Sequence, residues 1–155
     1  MKPITQFALE LATEYHKGQK RRDGKDYITH PIAVAELVKQ NYSLDKNSLF
    51  YDMTVCAAYL HDSEEDCNIT AREIVSKFLE VGYYSIEDTR EVIFRNTLES
   101  LNKNNFATYT EYIKNIASTQ LAREVKIADQ THNLSDLKPG SLRDKYELAL
   151  YILTK

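Results

Sequence analysis

The sequence predicts an all-α domain, and three observations predict it. Apolar residues recur at intervals of three and four along almost the whole chain, the spacing of a helix face. Only four glycines and three prolines interrupt 155 residues, so long helices meet few breakers. The length suits one hydrophobic core and is too short for two comfortable ones, so a single helical domain over 1–155 is expected.

Taken in order, the first helix is expected over 5–15, with Phe7, Ala8, Leu11 and Ala12 as its inward stripe. It gives way to a loop over 16–25 that holds two glycines and five Lys or Arg residues. Residues 27–35 read as a helix start, with Thr29 as cap and Pro31 tolerated in the first turn, continuing through Leu37 and Val38 to about Gln40. A polar connection over 41–47 precedes the most apolar run, Val-Cys-Ala-Ala-Tyr-Leu at 55–60, which predicts a helix buried on most sides. Cys56 is read as core packing there.

Thr70 and Glu73 have the spacing of a capping box, and the helix they open is expected to stop near Gly82. Another helix is expected over 85–95, no clear pattern covers 96–106, and helical spacing resumes over 109–117. A helix over 121–137 begins with an apolar stripe through Ala122 and Val125, then turns polar at Asp129, His132, Asn133 and Asp136. Polar groups on an inward face must meet a site or a partner. Lys138-Pro139-Gly140-Ser141 is a stop and restart, followed by a last helix through Tyr146, Leu148, Ala149 and Ile152.

Composition narrows the function classes. A net charge of −3 argues against a general nucleic-acid binder, and eleven tyrosines read as core and surface aromatics rather than a base-stacking platform. No apolar run approaches the roughly 20 residues of a membrane span, and Met1-Lys2-Pro3-Ile4-Thr5-Gln6 lacks the apolar core of a signal peptide, so a cytoplasmic protein is expected. Two cysteines form no disulfide framework.

The chemistry concentrates in Tyr59-Leu60-His61-Asp62-Ser63-Glu64-Glu65-Asp66, where four carboxylates and an imidazole follow the buried run directly. Charges this close to a core need a compensating ion. His61 and Asp62 offer nitrogen and oxygen, the donors that suit Mn, Fe, Co, Ni or Zn. Adjacent helix residues point about 100° apart, so both reach one ion only if it lies in the wedge between them and other segments complete the set.

The order His30-Pro31, His61-Asp62, Asp129 resembles the H…HD…D signature of HD-domain metal-dependent phosphohydrolases. Longer stretches, Tyr15 to Arg22, Tyr27 to Pro31, His61 to Asp66 and Lys126 to Leu134, are similar to the hydrolase domain of the RelA/SpoT family, which removes the 3′-pyrophosphate from the alarmone (p)ppGpp. The resemblance runs from about Phe7 to Leu137, leaves no room for a synthetase domain, and so implies a stand-alone small hydrolase with an HD-domain helical bundle. It implies that His30, His61, Asp62 and Asp129 ligate one divalent ion, typically Mn²⁺, with another first-row metal as an alternative. Glu65 and Asp66 match the acidic pair expected to orient water or move its proton. Arg21 and Arg22 match a basic pair beside guanine and phosphates, Asn133 a residue near the sugar, and Tyr146 a late tyrosine near the base. His16 and His132 are read as supporting or packing residues.

Three positions depart from the family pattern: Cys67 stands in place of a Thr, Gln130 in place of an Arg, and Asp136 in place of a Thr. Asp136 would put a negative charge near an anionic substrate. Two other readings therefore stay open, an HD phosphohydrolase for another nucleotide such as a nucleoside monophosphate, and a nucleotide-binding HD module without turnover. Without the resemblance, Glu65 and Asp66 would read as a solvated helix end and 17–25 as a solvated basic loop.

Overall fold

The computed structural model describes residues 1–155 as nine α-helices and one short 3-10 turn, with a lone antiparallel bridge between Lys20 and Asp26. The helices are α1 (Ile4–Tyr15), α2 (Thr29–Asn41), α3 (Leu49–Leu60), α4 (Ser63–Asp66), α5 (Ala71–Val81), α6 (Thr89–Ser100), α7 (Tyr109–Ala117), α8 (Gln120–Leu134) and α9 (Ser141–Thr154). The 3-10 turn, Lys103–Asn105, joins α6 to α7. The fold is all-α, and no helix is long and apolar enough to cross a membrane.

Helix α3 is the axis. Every residue from Met53 to Leu60 is buried, so it has no solvated face in this stretch, and α1, α2, α6 and α8 pack around it. Cys56 lies fully inside, its Sγ 3.6 Å from the Ile4 carbonyl, as core packing requires. Phe78 of α5 anchors the other end of the core, meeting Phe7 and Phe94 edge-to-face with centroids 4.9 and 5.0 Å away.

Local side chains fix the helix ends. Ser48, Thr70, Asp88 and Thr108 each accept a backbone N–H from the first turn that follows. At Thr70 only half of the capping box forms: its Oγ1 accepts from the Glu73 amide at 3.1 Å, while the Glu73 carboxylate takes the Thr70 hydroxyl instead of its N–H. Gly82 closes α5 at φ +97°, where a Cβ is disfavoured, and Tyr83 returns its amide to the Phe78 carbonyl. Gly82→Ala is therefore expected to lower unfolding free energy by about 1–2 kcal/mol in a urea titration.

Three expected boundaries are corrected. Thr29 lies inside the first turn of α2 and does not cap it; its hydroxyl donates to the Asp26 carbonyl at 2.7 Å. Helix α6 starts at Thr89 and not at 85, because Asp88 receives the Arg90 amide, and it runs on through part of the unassigned stretch. Helix α8 ends at Leu134, three residues early. Arg143 of α9 donates to the carbonyls of Leu134 and Leu137 at 3.0 and 2.5 Å, which satisfies acceptors that another helical turn would have used. Asp136 consequently leaves the inward stripe of α8 and is exposed.

Candidate functional site

The break between α3 and α4 makes the site. After Leu60 the chain takes two residues, His61 and Asp62, before the single turn of α4, and Asp62 sits at φ −100° and ψ −2°, off ideal helix geometry. The wedge problem of a continuous helix disappears. His61 Nε2 and Asp62 Oδ2 face each other at 3.0 Å.

His30 from α2 and Asp129 from α8 close on the same point. His30 Nε2 stands 2.8 Å from Asp129 Oδ1 and 3.8 Å from Asp62 Oδ2, and His61 Nε2 stands 3.2 Å from Asp129 Oδ1. One donor atom from each of the four lies within 4.8 Å of all the others. In a first-row metal site with bonds of about 2.1 Å, neighbouring donors are about 3 Å apart, so this set can hold one divalent ion after a small contraction.

The hydrogen-bond pattern around His61 favours such an ion. Its Nδ1 is 2.7 Å from the Ala58 carbonyl, which only accepts, so Nδ1 carries the proton and Nε2 is aimed at two carboxylates. Either a second proton or a cation must occupy that side. A ligand histidine anchored through its other nitrogen to a carbonyl is the usual support for a metal.

The surrounding groups are arranged to balance charge. Burial works against ionisation of Asp129, but Lys126 and His61, with hydrogen bonds from the histidines, outweigh it and hold the carboxyl well below its ordinary range. Lys126 Nζ meets Asp129 Oδ2 at 2.8 Å, and the Asn133 amide donates to Oδ1 at 3.1 Å. The Tyr27 hydroxyl donates to Asp62 Oδ2 at 2.5 Å, and burial followed by the Asp62 charge pushes its pKa up. His132 stacks on His30 with the two Nδ1 atoms 2.8 Å apart, and His16 lies against Tyr27 with ring centroids 4.8 Å apart. His132 thus braces His30 directly, while His16 reaches the cluster only through Tyr27.

In front of the cluster opens a cleft of about 200 Å³. Nine of the ten residues singled out from sequence line it, Arg21, Arg22, His30, Asp62, Glu65, Asp66, Asp129, Asn133 and Tyr146, while His61 sits beneath. Burial, then the charges of Asp62 and Glu65, push the Asp66 carboxyl up to about 6. Arg21 is nearly buried and one of its terminal nitrogens has no partner in the protein, whereas Arg22 bonds Asp136 at 2.5 Å and the Asn133 carbonyl at 3.2 Å. The Asp136 charge is therefore engaged by Arg22. Gln130, the other departure in α8, is fully buried, donates to the Tyr109 hydroxyl at 3.2 Å, and does not line the cleft.

Sequence reasoning missed Tyr27, Lys103, Lys126 and Lys145, all of which line the cleft. The signal for one of them was available: Lys126 precedes Asp129 by three positions, a spacing that puts both side chains on one helix face, whereas Tyr27 lies in the turn before α2 and periodicity says nothing of it.

An all-helical bundle with a buried His/Asp quartet at the broken end of its central helix is the arrangement of an HD domain. The family model described as HD domain matches residues 8–152, and the chain belongs to that family. Within it, the chain is 32% identical to the guanosine-3′,5′-bis(diphosphate) 3′-pyrophosphohydrolase MESH1 of Xenopus tropicalis, over 84% of this chain and 68% of that protein. It is 34% identical to the guanosine-3′,5′-bis(diphosphate) 3′-pyrophosphohydrolases of Borreliella burgdorferi and Haemophilus influenzae, over 89% and 86% of this chain. The chain spans only 15–20% of the length of these two and of the plant relatives it matches.

Proposed function

We propose that this protein is a metal-dependent phosphohydrolase that removes the 3′-pyrophosphate from (p)ppGpp-like guanosine nucleotides, with Mn²⁺ or another divalent first-row ion in the His/Asp quartet. The observation that carries the reading is the convergence of His30, His61, Asp62 and Asp129, with His61 Nε2 aimed at two carboxylates. The similarity to 3′-pyrophosphohydrolases supplies the substrate class.

When bound, such an ion lowers the pKa of a coordinated water and polarises a phosphoryl oxygen. The chain does the rest. Glu65 and Asp66 face the cleft from the turn after Asp62, and a carboxyl near pH 6 suits a group that accepts a proton from attacking water near neutrality. Water adds to the phosphorus attached to the 3′-oxygen, the P–O3′ bond breaks, and the sugar keeps a 3′-hydroxyl while pyrophosphate leaves. For such a substrate the unpartnered Arg21 nitrogen and Lys126 would offer donors for anionic oxygens, with Arg22 and Tyr146 assigned to the base and Asn133 to the sugar; all five residues line the cleft. No nucleic acid or membrane partner is required.

Incubation of metal-loaded protein with ppGpp and a nucleotide panel tests the reading. Pyrophosphate and GDP are expected from ppGpp. Phosphate release from many nucleoside monophosphates with ppGpp intact would replace the substrate, and calorimetric binding of ppGpp without any product would replace the enzyme with a binding module.

Metal loading itself has a measurable consequence. An ion at 100 times its dissociation constant adds about 2.7 kcal/mol to the folded state, which for a domain of this size raises Tm by about 5–10 °C. Scanning calorimetry with EDTA and then with excess Mn²⁺ checks it, and an unchanged Tm would count against the ion.

A further inference from the structure

The second residue of α4, Glu64, lies beside the proposed catalytic pair but does not line the cleft. Its carboxylate turns the other way and joins three segments. Oε2 accepts the Ala71 amide at the start of α5 at 3.0 Å, and Oε1 accepts the side-chain amides of Asn102 and Asn105 at 3.1 and 3.0 Å. Asn102 is only 5% exposed, and its own Oδ1 receives the Asn104 amide, so it caps the 3-10 turn from inside. Asn105 also reaches back to the Glu99 carbonyl at 2.9 Å. Glu64 is thus the common acceptor for both asparagines that frame Lys103–Asn105.

What this turn does next reaches the site. The Lys103 amide donates to Glu65 Oε1 at 3.3 Å, and the Lys103 ammonium stands 4.0 Å from Glu65 Oε2. Consecutive glutamates therefore grip one turn: Glu64 holds its asparagines from the outside, and the turn in its grip fixes the Glu65 carboxylate at the cleft. A carboxylate accepting one amide from a turn keeps its orientation only if the turn is itself anchored. Lys103 and Leu101, which line the cleft, are carried by the same segment.

We infer that Glu64, acting through Asn102 and Asn105, is a positioning residue for Glu65 and Lys103. It touches no reacting atom. The role of Glu65 at the cleft rests on the proposed hydrolase reading, whereas the link from Glu64 to the turn does not.

Two measurements test the inference, and they fail separately. In hydrogen exchange followed by NMR or mass spectrometry, Glu64→Ala is expected to speed exchange across 101–106 by about tenfold or more, with α1 to α3 unaltered. Unchanged protection of that segment would overturn the inference whatever the enzyme does. In turnover of ppGpp, Glu64→Ala is expected to lower kcat about 10- to 100-fold, and this loss is expected to vanish when Glu64→Ala is added to Glu65→Gln. A merely structural role would give the same fractional loss in both backgrounds and would overturn the positioning claim. Glu64→Gln, which keeps an acceptor oxygen for the asparagines, is expected to hold kcat within about threefold of wild type and serves if the alanine variant folds poorly. A wild-type protein inert toward ppGpp would sink the hydrolase reading, and the exchange measurement would then decide the Glu64 link alone.

Discussion

Asp62→Ala is expected to strip the protein of its divalent ion and to reduce turnover of ppGpp by at least about 10³-fold, because an ion that activates water and offsets phosphoryl charge is worth about 4 kcal/mol or more in the transition state. The fold is expected to survive. Asp62 is one of several carboxylates crowded into this end of the molecule, and its charge is among those that push the Asp66 pKa upward, so its removal relieves repulsion as well as deleting a ligand. The side chain leaves behind the Tyr27 hydroxyl, which sits at the edge of an open cleft where water can replace its partner. Metal content by elemental analysis and helicity by circular dichroism check the two halves. A variant that retains wild-type metal would remove Asp62 from the ligand set.

Lys126→Met carries the second large effect, and it falls on stability. The ammonium is mostly buried, 2.8 Å from Asp129 Oδ2 and 5.2 Å from the centre of the Tyr112 ring. Burial opposes its charge, yet Asp129 and Tyr112 together hold its pKa well above the ordinary lysine range. Methionine keeps the volume and removes the cation, leaving Asp129 short of a partner. Breaking a buried pair in this way costs about 3–5 kcal/mol. A divalent ion on the same carboxylate supplies the missing positive charge, so the loss is expected to be large in EDTA and much smaller with saturating Mn²⁺. Paired urea titrations decide it; an equal loss in both conditions would mean that Asp129 and the ion do not share charge.

The two predictions show where the sequence was informative. Asp62 was legible because it follows an apolar run that leaves no room for an uncompensated charge, and because His30, His61 and Asp129 recur in a recognisable order. Lys126 was not singled out, although it sits one turn before Asp129, because a lysine in a helix ordinarily reads as a solvated residue. Only the packing of α7, which brings Tyr112 against it, reveals that its charge faces inward. Helix identity followed from apolar spacing nearly throughout. The errors lay at ends, where long-range partners decide: Arg143 stops α8 from a different helix, and periodicity within α8 carries no trace of it. Asp136 illustrates the cost. Counted along an uninterrupted helix it belonged to the inward face, but one early termination swings it out to Arg22.

The quartet also spans a great length of chain, since His30 and Asp129 are 99 positions apart. A cation shared between them, as proposed, would fasten the first helices to the penultimate one as a removable staple; released on unfolding, it would act by mass action on the folded chain and leave the unfolded ensemble unconstrained. Metal scarcity would then act twice on this molecule, slowing its chemistry and shortening its lifetime against proteases that seize chains during transient opening.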